Sequence, residues 1–407
     1  MRLQFALFFL FLAGALSGIA LYVHKRAAKA FGLRSQGALV LRGVLISSVI
    51  LPFALRSVGW TTAAAFDQTL TMFGFVVALT LLITTGFLLP VDVLTWLSKR
   101  LRKPSVQSRE FPVEQPLPVE TEAPRLTRRE LLSRSYMGLA LGTGASTSLY
   151  GITRGRHDYV IEQVPIPLRN LPRTLDGYTI AQLSDIHVGM FVGERELEAG
   201  VELVRQARPD MIVLTGDLID HDPRFIPALG RFCRRLSELG VRDGVVAIPG
   251  NHDYYTGIDD VLRTLRDAGV HVLRNEARVI GDRGGSFALL GVDDVWAGRD
   301  GLSRGADLDA ALAQVSPDLT RVLLCHNPEF FPEAAPRVDL QLSGHTHGGQ
   351  VNFIVRPADL VLRHGYIRGH YVRGESQIYV NRGFGTAGPP IRIGSPPEVS
   401  RIVLTSA

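Results

Sequence analysis

"YTIAQLSDIH", Tyr178–His187, is a short apolar run that breaks into an aspartate and a histidine two residues apart. A run of this length and composition reads as a buried strand. Nothing in the Asp185-Ile186-His187 break would build a core. The same text recurs down the chain. "MIVLT" leads into Gly216-Asp217-Leu218-Ile219-Asp220, and "VVAIP" into Gly250-Asn251-His252-Asp253. "RVLLC" leads into His326-Asn327-Pro328, and Val338–Ser343 into "GHTHGGQ", residues 344–350. Between these strands, Glu194–Ala207 and Arg224–Leu239 carry apolar residues at helical spacing, with Phe225, Leu229, Phe232 and Leu236 on one stripe. Alternating strands and helices predict an α/β fold.

In open α/β sheets, ligands gather beyond the carboxyl ends of the strands. The five turns are therefore expected to meet in space. Side-chain alternation predicts that Asp185 and His187 face one way, as do His345 and His347, while Cys325 faces away from His326. Any one turn has a bland reading: an Asp-x-His arises by chance, and "GNHD" can be a simple turn. Five in order, each after a buried strand, point to a metal site, because neutral imidazole is the commonest protein metal ligand. A set of carboxylates, an amide and imidazoles without thiolate suits Mn²⁺, Fe or Zn²⁺. Seven donors exceed the needs of one ion, but two ions sharing a carboxylate use them all.

Asp185-x-His187, Gly216-Asp217-x-x-Asp220, Gly250-Asn251-His252-Asp253, His326 and Gly344-His345-x-His347 together resemble the motif set of the calcineurin-like metallophosphoesterases. The resemblance runs from about Asp158 to the C-terminus. The "GHTHGGQ" stretch and Tyr379–Glu398 are similar to the YkuE-like subgroup, and the apolar N-terminal half resembles the transmembrane proteins with a metallophosphoesterase domain. The resemblance implies a four-layer α-β-β-α sandwich and a two-metal centre. Asp185, His187 and His347 would hold one ion, Asn251, His326 and His345 the other, and Asp217 would bridge them. It further implies that a hydroxide between the ions attacks phosphorus. His252 would stabilise charge or protonate the leaving group, with Asp253 fixing its tautomer. Asp220 either orients a ligand or caps the following helix. Arg382, beyond the strand "QIYV", and Arg392 are candidates to hold substrate phosphate, or are ordinary arginines.

Charge is distributed unevenly. The 407-residue chain has a pI near 9.3, yet residues through Ser135 carry 16 Lys+Arg against 7 Asp+Glu and the remainder 28 against 32. This fits a basic, membrane-facing part and a mildly acidic soluble part. It argues against a nucleic-acid partner. Two cysteines, Cys233 and Cys325, define no disulfide framework. Residues 3–23, 35–55 and 68–91 are predicted membrane spans, the second holding Arg42. Residues 98–134 read as a basic, Pro/Glu-rich linker containing "TRRELL", Thr127–Leu132, which is similar to a twin-arginine export signal. Residues 135–153 are either a fourth span or the apolar part of that signal, and 158–407 form the catalytic domain.

Basic loops at 24–34 and 98–134 around a neutral loop at 56–67 place the first and third loops in the cytoplasm. With residues 135–153 crossing as a span or as an export signal, the domain after Thr153 is expected outside the cell membrane; with three spans only, it stays in the cytoplasm. The expected function is a membrane-anchored hydrolase of phosphodiester or pyrophosphate bonds, on a lipid or cell-envelope substrate. The competing reading is a membrane sensor or transport-like protein whose phosphoesterase domain binds or regulates.

Overall fold

The computed structural model describes residues 2–57, 64–101, 126–282, 284–353, 356–362 and 365–407. It divides into two compact units, Met1–Leu149 and Tyr150–Ala407.

The first unit is helical: α1 (Arg2–Phe31), α2 (Ser35–Ser57), α3 (Ala64–Leu101) and the start of α4 (Arg128–Thr153). The predicted spans at 3–23, 35–55 and 68–91 lie within α1, α2 and α3. Among the described residues one helix, Phe66–Leu101, is long and apolar enough to cross a membrane. The helices outrun the apolar stretches. Lys25, Arg26 and Lys29, expected in a loop, lie in the last turns of α1, since no glycine or proline stands between Gly18 and Gly32. Small residues form the helix contacts: Ala20, Ala27, Ala30, Ala78 and Ala140 are buried with Leu81, Leu88 and Met137. A side chain at Gly144 would meet the Thr80 carbonyl. The Gly/Ser/Thr-rich text of residues 135–153 is thus the composition of a closely packed helix. "TRRE" closes a capping box, the Thr127 hydroxyl accepting from the Glu130 N–H and the Glu130 carboxylate from the Thr127 N–H. Of the predicted linker at 98–134, the first residues to Leu101 close α3 and those from Arg128 open α4, because both helices run past their apolar stretches, while residues 102–125 lie outside the described residues.

The second unit carries two six-stranded mixed sheets. One runs β1 (Val160–Leu168), β12 (Glu398–Ser406), β2 (Tyr178–Leu183), β3 (Met211–Thr215), β4 (Val245–Ile248), β5 (His271–Val272). The other runs β10 (Gly369–Arg373), β11 (Ser376–Val380), β9 (Leu340–Ser343), β8 (Arg321–Leu324), β7 (Gly285–Gly291), β6 (Glu276–Asp282). Strands β2 to β5 are parallel, as are β7, β8, β9 and β11. Residues alternate along each strand to feed two cores. Ile180, Met211, Val213, Val246 and Ile248 meet Phe287, Leu289, Val322, Leu324, Leu340 and Leu342 between the sheets. Ala181, Leu183, Ile212 and Leu214 face helices α5 (Glu194–Ala207), α6 (Ile226–Glu238) and α7 (Asn251–Asp267) through Leu197, Val204, Leu229, Phe232 and Leu236. Behind the second sheet, Leu290, Leu323 and Cys325 pack on short helices through Leu308, Ala311 and Phe330. The order helix, sheet, sheet, helix is the sandwich implied by the motif set.

Among the strands not readable in the sequence are β1 and β12. β1 contains Pro165 and Pro167, which only an edge position tolerates, and an edge is where it lies. β12 comes from the far end of the chain and pairs antiparallel with β2, Ile402 opposite Ile180.

Candidate metal centre

The parallel strands deliver their carboxyl-end turns to one place. The two sheets are tied there by side chains, the Gln182 amide donating to Thr215 Oγ1 (3.0 Å) and to the Ser343 carbonyl (2.9 Å). The fit is tight: a Cβ on Gly344 would overlap Ser184 Oγ and the Asp185 carboxylate, and one on Gly250 would overlap Asp217. Glycine is the residue these close approaches allow.

Two donor clusters form at this junction. In the first, His187 Nε2 and His347 Nε2 lie 3.1 Å apart, and His347 Nε2 is 3.3 Å from Asp185 Oδ1. In the second, His326 Nε2 lies 3.2 Å from both His345 Nδ1 and Asp217 Oδ2. Asp217 Oδ2 is also 3.7 Å from His187 Nε2, so one carboxylate oxygen faces both clusters. Asn251 Oδ1 is buried without a hydrogen-bond partner. A buried acceptor without a donor is costly, and converging lone pairs repel. A cation resolves both, so these donors fit divalent metals. Six of the seven predicted ligands meet in the donor clusters, and Asn251 lies at the head of α7 beside them.

The backbone shows why they meet. Asp185, His187, Asp217, His345 and His347 all have φ between 50° and 72°. They are five of the eight non-glycine residues with positive φ among those described. Each left-handed residue costs roughly 1–2 kcal/mol, a strain that clusters at functional sites. Asp185 and His187 therefore face one point, but through two left-handed residues and not through the strand alternation expected. Cys325 does lie on the opposite face, in the outer core.

Supporting hydrogen bonds choose the tautomers. His326 Nδ1 lies 2.7 Å from the Thr215 carbonyl, so its N–H donates there and Nε2 is left for an ion. The two Asp185 oxygens accept from the His345 N–H at 3.0 and 2.9 Å. Burial pushes His187 down to about 3, helped by the His252 ring, and pushes His347 well below its ordinary value, helped by His187. Both are neutral imidazoles. His326 goes the other way: burial opposes its charge, but Asp217 and then Asp185 hold it well above the ordinary value. Asp217 stays ionised, because His326 and His252 outweigh its burial. Burial pushes Asp185 up to about 6.

His252 sits beside the junction, its ring 4.6 Å from that of His187 and perpendicular to it. Its backbone N–H donates to Asp217 Oδ1 at 2.8 Å. The expected partner of its ring was Asp253, and the structure corrects this. Asp253 is fully buried and accepts from the N–H groups of Leu218 (2.9 Å), Ile219 (3.2 Å) and Gly250 (2.8 Å). It pins the Asp217 turn to the head of α7, where a residue one turn into a helix naturally reaches back. The carboxylate facing His252 is Asp220, with Oδ1 3.6 Å from Nδ1, a charge contact longer than a hydrogen bond. Burial opposes the charge on His252, but Asp217 and Asp220 hold its affinity for a proton above the ordinary value. The cap of the next helical turn is Asp222, which accepts from the Arg224 N–H, so Asp220 is not a cap.

The two candidate phosphate-binding arginines are committed elsewhere. Arg392 is fully buried, donating to the carbonyls of Gly383, Gly385 and Ser395, and braces the loop behind His347. Burial lowers it to about 10. Arg382 pairs with Glu162 at 2.7 Å and with the buried Glu398. Sequence reasoning also missed neighbours of the cluster. Trp296 stands edge-on to His345 with centroids 4.3 Å apart, and His221 lies 4.3 Å from His252. Only His221, next to Asp220 in a motif turn, carried a readable signal.

Known proteins resemble this chain over the region that carries the site. The family description "Calcineurin-like phosphoesterase" matches residues 178–349. The uncharacterized metallophosphoesterase YkuE of Bacillus subtilis is 30% identical over 295 residues, covering 69% of this chain and 99% of that protein. The transmembrane protein with metallophosphoesterase domain of Bos taurus is 31% identical over 280 residues, covering 66% of this chain and 62% of the bovine one. An uncharacterized metallophosphoesterase of Aquifex aeolicus is 36% identical over 240 residues, covering 59% and 89%.

Proposed function

The chain belongs to the calcineurin-like phosphoesterase family, and from this premise we propose that it is a membrane-anchored phosphoesterase with two divalent metal ions that hydrolyses phosphodiester or pyrophosphate bonds. Metal-dependent phosphoester hydrolysis follows from the family. The dinuclear centre is supported by one observation above the others: two donor clusters meet at a single oxygen, Asp217 Oδ2. Asp185, His187 and His347 would hold one ion, Asn251, His326 and His345 the other, with Asp217 between. Mn²⁺, Fe and Zn²⁺ all suit these donors. When bound, such a pair supplies a nucleophile at neutral pH and neutralises charge on the phosphoryl oxygens.

The chain's own contribution is position and one proton. Left-handed turns hold the donors before any ion arrives, which lowers the reorganisation needed on binding. Against its burial, Asp217 and Asp220 face His252 and raise its affinity for a proton. With Nδ1 turned to Asp220, Nε2 is the nitrogen that delivers a proton to the departing alkoxide. Asp253 serves by fixing the Asp217 turn, not by touching substrate.

Membrane anchoring is supported by Phe66–Leu101 and by its outward apolar face, with Phe73, Leu82, Phe87, Leu89, Leu94 and Trp96 exposed. The basic residues also gather at one end of the helical unit. Arg26 pairs with Asp92 near the end of α3, which carries Lys99 and Arg100, and Arg134 of α4 donates to the Ala30 carbonyl at 3.0 Å. A basic end is a cytoplasmic end, and α4 leads away from it. This favours several spans with the catalytic domain outside, near lipid or envelope phosphoesters. Turnover of an aryl phosphodiester by the full chain in detergent, with and without Mn²⁺, tests the activity. No turnover by folded, metal-loaded protein sinks the reading. Protease added outside intact cells should digest the domain after Thr153, and protection until lysis would put it inside.

A further inference from the structure

Beside the predicted pair of ions lies a third set of donors. Asp220, His221 and His252 bring one ligand atom each within 4.8 Å of one another. We propose that they form a separate, inhibitory binding site for a divalent transition metal, zinc above all, an inference that rests on the dinuclear reading of the neighbouring centre.

Two imidazoles and a carboxylate, with a position open to water, are a known zinc donor set. Ligand atoms on a tetrahedral zinc, bound at roughly 2.0–2.1 Å, stand about 3.3–3.4 Å apart. The 3.6 Å between Asp220 Oδ1 and His252 Nδ1 is close to that spacing and too long for a good hydrogen bond. His252 Nδ1 is buried and has no hydrogen-bond partner, so a donor aimed at this spot is left unsatisfied. The other members are held in place. Asp220 Oδ1 accepts from the His221 N–H at 3.0 Å. The His221 ring stacks on Tyr255, with planes 13° apart, and the Tyr255 hydroxyl donates to Asp300 at 2.8 Å. His221 is exposed, so an ion can enter from solvent.

An ion here would bind the nitrogen of His252 that faces Asp220. It would put positive charge beside a ring that must carry and release a proton, and it would hold that ring still. Low zinc would then activate the enzyme through the pair, and higher zinc would inhibit it through the third site.

The experiment is a zinc titration of the metal-depleted full chain in detergent, reading bound zinc per chain and the rate on an aryl phosphodiester. The rate should rise over the first two equivalents and fall at least about ten-fold as a third binds. His221→Ala should bind two and keep the rise without the fall, while His221→Cys, which restores a zinc ligand, should regain the third equivalent. Saturation of the wild type at two without inhibition overturns the third site and leaves the dinuclear reading standing. A third equivalent and inhibition undiminished in His221→Ala also overturns it. Fewer than two equivalents in the wild type overturns both.

Discussion

The two halves of the metal centre are built differently. Asp185, His187 and His347 all stand on left-handed backbone, and burial keeps both imidazoles neutral. In the other half only His345 has positive φ, while Asn251 heads a helix and His326 follows a strand. There His326 is held in its protonated form by Asp217 and Asp185. The first half is prepared for a cation by strain and desolvation. The second must give up a proton to receive one. Asp217 belongs to both, so what separates them is how each prepares its nitrogen donors.

That contrast is easiest to break at the shared residue. Asp217→Asn should cost more than about 10³-fold in kcat, or ~4 kcal/mol of barrier, and metal analysis should find both ions weakened. Retention of one ion at full occupancy would show that Asp217 serves only one half. His252→Ala, which keeps the backbone N–H that holds Asp217 and removes only the ring beside His187, should lower kcat by about 10²-fold with both ions still bound.

Protons sharpen the comparison next. A protonated imidazole cannot bind metal, so the second half gains affinity as pH rises through the folded value of His326 and loses it as pH falls. Below that value the loss is about ten-fold per pH unit. The first half has neutral histidines already, and its affinity holds until Asp185 takes a proton near pH 6. Metal counts taken as pH falls toward about 6 should therefore show one ion leaving before the other. Simultaneous loss would remove the distinction.

The smallest effects separate the two aspartates near His252. Asp220→Asn should lower kcat several-fold and shift the pH profile, because the charge facing the ring is gone, with stability unchanged. Asp253→Asn should leave that profile in place and destabilise the fold by about 1–3 kcal/mol, because a carboxylate with three buried N–H donors becomes an amide. Thermal melts and pH–rate profiles of the pair distinguish the roles.

Much of the site was legible because it is written locally. "YTIAQL" is β2 residue for residue, and the donors sit where buried strands stop. The same local text fails where the partner is far along the chain. Arg382 looks free in sequence, but its partner Glu162 is 220 residues away. The role of Asp253 could not be told from that of Asp220, since which carboxylate faces the His252 ring is set by how the head of α7 packs on the turn after β3. Backbone strain leaves no mark in sequence either: the i, i+2 spacing of Asp185 and His187 pointed to the correct convergence through the wrong geometry. In the N-terminal unit, hydropathy located apolar runs but not helix ends, because the helices continue through charged residues. "TRRELL" is similar to an address, yet its first four residues also close a capping box.

The central claim is that one carboxylate joins two ions. Electron paramagnetic resonance of the Mn²⁺-loaded full chain tests it most directly, since two manganese ions sharing Asp217 are close enough to couple magnetically. The account predicts a coupled-pair spectrum in the wild type that collapses to isolated or free ions in Asp217→Asn. Isolated-ion spectra from a fully loaded, active wild-type protein would contradict it.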